Sequence, residues 1–286
     1  MADLKIQDRM DQAGKKPGGK GDEPEARMTF GEHIEELRGR LLKSVIFLML
    51  ATVTSLFFYD KLVWFITRPH VSAMENLRAE MEKKGIKTND LEYKLIMGGY
   101  ATPVIATMKL GFIIALFVSS PFIGYQIWAF ISAGLYKNER KYVVMFAPIS
   151  YLLFAAGCSF GYGFLVRICL MGLARTGMAD GRVLSPQFVF SDYLNLVTTL
   201  TIILGAVFQL PLIMVFLSKI GLVAPPTYNK FQRLAILLNL VAAAFIAPPD
   251  VVSMCVVAVP MILLYEIGVV AAYVFASSKP PEPAKS

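Results

Sequence analysis

Glu36 and Glu139 are the side chains of this 286-residue sequence best suited to chemistry, and the chemistry they suit is the grip of cations. Glu36 lies in T-F-G-E-H-I-E-E-L-R-G-R-L-L-K at 29–43, which runs straight into the first of several long apolar stretches. Glu139 lies in the turn L-Y-K-N-E-R-K at 135–141. Anionic headgroups repel carboxylates at a membrane surface, so such groups call for a cationic partner rather than lipid. The ordinary reading pairs Glu36 with Arg40 four residues on, worth ~0.2–0.5 kcal/mol, and leaves Glu139 solvated among Lys137, Arg140 and Lys141. The sharper reading lets both carboxylates hold a pair of guanidinium groups. Arginine forms forked bonds to carboxylates that lysine cannot match, so such a site separates two arginines from two lysines. The spacing alone leaves both readings open.

Two further polar residues lie deep in apolar sequence. Glu266, in L-L-Y-E-I-G, is an ionisable residue inside the last stretch and therefore a functional candidate by default; a paired or protonated structural carboxyl is the equal alternative. Gln209 precedes Pro211, whose missing N–H frees a backbone carbonyl that a glutamine amide can satisfy. Catalysis finds little support. The two histidines, His33 and His70, lie outside the apolar stretches and are too few for a metal site, and His33 reads as a helix-surface residue. No nucleophile elbow, phosphate-binding loop or metal-spaced carboxylate cluster appears, so no cofactor is implied.

The elements that must position these residues are membrane helices. The chain is 56% hydrophobic and 17% charged, with a mean hydropathy of +0.56, whereas soluble domains carry about 25% charge. The expected fold class is an all-α integral membrane protein with six transmembrane helices, at 41–59, 110–131, 143–166, 194–217, 234–247 and 251–276. Crossing ~30 Å of hydrocarbon takes about 20 residues. The fifth stretch reaches only roughly 21 Å at ~1.5 Å per residue, which suits a buried core helix or a pair with the sixth that thins the bilayer locally; it reads as a real, short crossing. Residues 1–28 read as a charged, disordered tail without signal-peptide character, 29–276 as the membrane domain, and 277–286 as a short polar tail. Thr29 with Glu32 reads as a capping box that starts the first helix. The three cysteines lie in or beside apolar stretches and suit packing rather than disulfides.

Six crossings put both termini on one face, and a modest excess of Lys and Arg on that face places it inside the cell. The net charge of +7 comes from residues that flank the spans as lipid anchors and implies no nucleic acid. On the opposite face, 60–109 reads as a long polar connection with a helix at 72–84, and 166–192 as a second loop. Pro121, Pro148, Pro211 and Pro260 fall inside spans, where proline tends to kink a helix, which suggests a concave bundle. No internal repeat is visible, against the pattern of many transporters. A proton-coupled secondary transporter using Glu266 is the alternative class.

Seven motifs between the stretches give a resemblance. They are H-I-E-E-L-R-G-R-L at 33–41, S-P-F-I-G-Y-Q-I-W-A-F-I at 120–131, L-Y-K-N-E-R-K at 135–141, D-Y-L at 192–194, F-Q-L-P at 208–211, P-P-D at 248–250 and Y-E-I-G at 265–268. In this order the chain resembles TatC, the polytopic core subunit of the twin-arginine protein translocase. The resemblance implies a glove-shaped six-helix bundle in the bacterial cytoplasmic membrane with both termini cytoplasmic. It implies a receptor for signal peptides bearing paired arginines, working with the single-span TatA and TatB proteins in a larger complex that holds further copies of itself and runs on the proton-motive force. Glu36 and Glu139 match the family's signal-contacting carboxylates, and Arg38 and Phe130 match other positions of that site. Pro69, Pro121 and Asp250 match positions where the family is sensitive to change. The chain departs from the family at Gln209, where a glutamate is common; the amide keeps the size and hydrogen bonding needed to dock a partner or signal helix, and Glu266 is the second intramembrane polar candidate. Its 69–109 connection is longer than the usual form, and Ser253 is the one polar residue near the expected partner-docking region.

Overall fold

The computed structural model describes residues 30–83, 94–135, 137–178 and 188–275. Both expected tails, 1–28 and 277–286, lie outside them, as does Thr29 of the expected capping box. The chain runs α1 (Phe30–Leu56), α2 (Tyr59–Lys83), β1 (Leu95–Ile96), α3 (Thr102–Ala133) and α4 (Lys137–Phe160). A single π-helical turn, Gly161–Leu165, joins α4 to α5 (Val166–Met178). There follow β2 (Phe188–Val189), α6 (Phe190–Val207), α7 (Gln209–Lys219), α8 (Pro225–Lys230), α9 (Gln232–Ile246) and α10 (Val251–Phe275).

Among the described residues, five helical runs are long and apolar enough to cross a membrane: Gly31–Leu56, Thr102–Ala133, Glu139–Ala174, Phe190–Lys219 and Val251–Phe275. Helix α9, with 15 residues, spans roughly 22 Å and stands apart from these five as the short apolar helix expected fifth in order. The outer surface is apolar, with Leu50 63%, Val144 77% and Val270 63% exposed. That pattern fits hydrocarbon rather than water as the solvent for these faces. The larger core lies between α2, α5, α6 and α10, around Leu165, Leu194, Leu200 and Val257. A smaller aromatic core joins α3, α4 and α7: Trp128 and Phe216 rings lie 5.0 Å apart, and Phe146 and Phe216 5.6 Å.

Helices α4 and α6 approach closely because glycines face each other's helix. A Cβ on Gly157 would sit 2.7 Å from the Leu204 carbonyl oxygen, and one on Gly205 would sit 2.6 Å from Cys158 Sγ. Small residues let membrane helices reach backbone contact. Between α1 and α3, Ser55 Oγ donates to the Gly111 carbonyl at 2.8 Å.

Three expectations change. The polar connection 60–109 is largely helical: α2 begins at Tyr59, directly after the turn at Phe57 and Phe58, and α3 begins at Thr102. The helix expected at 72–84 is the second half of α2, which buries Ile66, Pro69, His70, Ala73, Met74 and Leu77 on one stripe. Second, the 166–192 loop starts later than expected, because the backbone continues through the π turn into α5. Third, of the four intramembrane prolines only Pro211 accompanies a break, at Phe208 between α6 and α7. Helices α3, α4 and α10 run unbroken through Pro121, Pro148 and Pro260.

Candidate functional site

The first turns of α1, the end of α3 and the start of α4 meet on one face of the bundle. Arg40 bonds a single oxygen of Glu36, with Nε at 3.0 Å and Nη2 at 2.6 Å from Oε1. Its Nη1 reaches across to Gln126 Oε1 of α3 at 3.4 Å. Gln126 is buried, so this contact ties the charged end of α1 to α3. A second tie lies two turns earlier on α1: the His33 ring stacks on Phe130 with centroids 4.4 Å apart and planes at 18°. His33 is therefore an interhelical contact, half-buried rather than a free helix-surface side chain.

Glu36 is half-buried, with 19% of its side chain exposed. Its second oxygen, Oε2, is shielded from solvent and has no hydrogen-bond partner among the described residues. A buried acceptor without a donor costs ~1–3 kcal/mol, so a donor arriving there is favoured. Glu139 lies in the first turn of α4, where the helix dipole favours a negative charge. It is half-buried and makes no ion pair among the described residues. Only residues 134–136 separate α3 from α4, and Arg140 Nε donates to the Leu135 carbonyl at 3.3 Å across that link. Glu36, Phe130 and Glu139 thus belong to one end of the α1–α3–α4 assembly. Arg38, two residues from Glu36, projects from a different side of α1 and is exposed.

The remaining candidates lie elsewhere. Gln209 opens α7 and faces α4: Ser150 Oγ donates to its Oε1 at 2.6 Å, and its Nε2 donates to the Ser150 carbonyl at 3.0 Å. The amide thus serves a neighbouring helix and not the carbonyl that Pro211 frees. Glu266 accepts a bond from Gln232 Nε2 at 2.7 Å. Gln232 is the first residue of α9, so Glu266 sits level with that helix's start and toward the face that holds α8. Nearby, Tyr265 donates to the Tyr228 carbonyl at 2.8 Å and Tyr228 to the Met214 carbonyl at 3.1 Å. Burial raises the Tyr228 phenol above its ordinary value of 10.0, which keeps it a donor.

Asp250 caps α10, its Oδ2 accepting the Ser253 backbone N–H at 2.7 Å. Ser253 itself is 1% exposed, so it packs inside the protein and offers no docking surface. Pro121 is exposed on α3, whereas Pro69 is buried in α2. Pro69 has no N–H for the Phe65 carbonyl, and its ring strains the next bond of the helix. Tyr162 OH donates to the Phe65 carbonyl, and Tyr193 OH to the Ile66 carbonyl. These tyrosines, like Arg40 with Gln126, escape a reading of sequence. Gln126 is the lone amide in an otherwise apolar run, the only signal that marks it. No group of His, Cys, Asp or Glu able to hold a metal occurs among the described residues.

Comparison with known proteins gives the geometry a context. The sequence model of the family described as Sec-independent protein translocase protein (TatC) matches residues 32–260. The TatC protein of Koribacter versatilis is 34% identical over 247 residues, covering 86% of this chain and 85% of its own. TatCy of Bacillus subtilis is 33% identical over 243 residues, covering 85% and 88%. A crystal structure of the twin-arginine translocase receptor TatC superposes with a TM-score of 0.72 at 26% identity, covering 85% of this chain and 99% of that one. The match covers the membrane helices from α1 into α10 and includes both candidate carboxylates, and it places this chain in the TatC family of Sec-independent protein translocase proteins.

Proposed function

We propose that Glu36 and Glu139 read the paired arginines of a signal peptide at the cytoplasmic face of a bacterial inner membrane. The observation that carries this is the Glu36 carboxylate. Arg40 holds one oxygen and fixes the group, while the other oxygen is desolvated and has no donor among the described residues. An incoming guanidinium supplies that donor, and Glu139, half-buried at the start of α4 and without an ion pair among the described residues, takes the second. Phe130, held flat by His33, lends an aromatic wall, and exposed Arg38 orients the acidic or polar flank of the peptide. The chain then acts as receptor and core subunit rather than as an enzyme, with TatA and TatB as partners, further copies of itself in the complex, and the proton-motive force as energy source. Gln209 with Ser150 offers a polar docking point for a partner or signal helix. A proton-coupled transporter built on Glu266 is less well supported, because that carboxyl meets Gln232 at a helix start rather than a line of polar groups through the bundle.

Binding of a labelled twin-arginine peptide and its twin-lysine counterpart to the purified protein tests the reading. A charge-assisted hydrogen bond contributes about 1.5–3 kcal/mol, so Glu36→Gln and Glu139→Gln should each weaken the twin-arginine peptide roughly tenfold or more. The twin-lysine peptide should change far less. Unchanged discrimination in both folded variants sinks the proposal.

A further inference from the structure

The strongest unassigned feature is a cleft of about 440 Å³ between α2 and the π turn, on the face opposite the chain's N-terminal helix start. Arg68 and Arg167 both line it, together with Glu75 and Ser72. Neither arginine is paired with a carboxylate among the described residues. Phe65, Arg68, Ser72 and Glu75 recur at intervals of three and four and so share one face of α2.

The walls are fixed by the protein itself. A π turn carries an extra residue per turn and re-aims its side chains. Here it delivers Tyr162, whose ring stacks on Phe65 at 4.9 Å and 8° and whose hydroxyl bonds the Phe65 carbonyl. Arg68 lies over the Trp64 ring at 4.9 Å, which steadies one guanidinium at the rim.

The cleft's level in the membrane follows from sequence. Arg167 is the first charge after the apolar run 143–166, which at ~1.5 Å per residue matches the ~30 Å of hydrocarbon and a little more. Trp64, Phe65 and Phe164 are 62%, 45% and 51% exposed beside it, as aromatics at a membrane–water interface are. Two guanidinium forks therefore meet the layer where lipid phosphates lie.

We infer that this cleft binds the phosphodiester headgroup of an anionic phospholipid from the leaflet opposite the N-terminal face. Guanidinium groups fit phosphate oxygens in forked pairs. With two arginines and one glutamate the cleft carries a single net positive charge, matching the one negative charge of a phosphatidylglycerol-type headgroup. Glu75 repels the extra charge of free phosphate, and the aromatic rim receives the glycerol and the first acyl methylenes.

Native mass spectrometry of the full-length protein in detergent micelles doped with phosphatidylglycerol, phosphatidylethanolamine or phosphatidylcholine tests this. Phosphatidylglycerol should be retained in preference to both zwitterionic lipids, and millimolar inorganic phosphate should not displace it. Arg68→Gln with Arg167→Gln should cut retention about tenfold or more, the loss of charge-assisted bonds. Arg68→Lys with Arg167→Lys, which preserves charge and folding, should cut it less, and Glu75→Gln should leave it equal or raise it. Equal retention of all three lipids, displacement by phosphate, or unchanged retention in either double variant overturns the assignment. Loss of phosphatidylethanolamine on Glu75→Gln overturns it in favour of a zwitterionic occupant.

Discussion

Gln209 shows how one side chain's role depends on a partner that sequence does not name. Its amide both accepts from Ser150 Oγ and donates to the Ser150 carbonyl. Gln209→Glu keeps the acceptor and loses the donor, so it should cost about 1 kcal/mol of stability; Gln209→Leu loses both and should cost about 2 kcal/mol. Denaturant unfolding in detergent gives the ranking, and a leucine variant as stable as the parent would leave Gln209 a packing role only. At the same scale, the Glu36–Arg40 pair was legible from its four-residue spacing. Its anchor Gln126 was not, because nothing in 120–131 says which helix that amide faces. The intramembrane Glu266 was legible as an oddity, but its partner Gln232 lies 34 positions earlier in the chain.

Helix α2 makes the same point for an element. The sequence points to a helix at 72–84, whereas the structure carries it back through Pro69 to Tyr59. The helix passes through Pro69 because Tyr162 and Tyr193, from two other helices, satisfy the Phe65 and Ile66 carbonyls. Tyr193 is 5% exposed, so Tyr193→Phe should leave a buried carbonyl short of its donor and cost ~1–3 kcal/mol. Tyr162→Phe should cost less, since water reaches that hydroxyl. Pro69→Ala returns an N–H to the Phe65 carbonyl, and the cost of Tyr162→Phe should then shrink. A double-mutant cycle measured by thermal unfolding reads this coupling directly; strict additivity would mean that the tyrosine and the proline act independently.

For the whole molecule, the number and order of apolar runs carried most of the architecture, since hydrocarbon thickness and backbone satisfaction allow few alternatives to a helix bundle. What sequence could not place were the joins: the π turn, the break at Phe208 and the parallel pairing of Leu95 with Phe188 and Ile96 with Val189, all set by contacts between distant segments. The faces of the bundle can be assigned by chemistry in cells. In a background with exposed Cys255 replaced by serine, buried Cys158 and Cys169 should stay silent. A cysteine at Ala133 or Thr227 should be protected from a membrane-impermeant thiol reagent added outside, and one at Gly98 should react. The reverse pattern would invert the proposed orientation.

The run from Glu139 to Ala174 is 36 residues of uninterrupted helix, and that continuity has a mechanical meaning. At ~1.5 Å per residue it is a rod about 54 Å long, with Glu139 at one tip and Arg167 near the other. Such a rod has almost no axial slack, so a ten-degree pivot at one tip swings the other by roughly 9 Å on that length. It has two softer points: Pro148, which removes one backbone bond, and the π turn, where the hydrogen-bond register changes. Bending stiffness therefore drops at Pro148 and again beside Tyr162, and torque applied at the charged tip is taken up at those two points before it reaches Arg167.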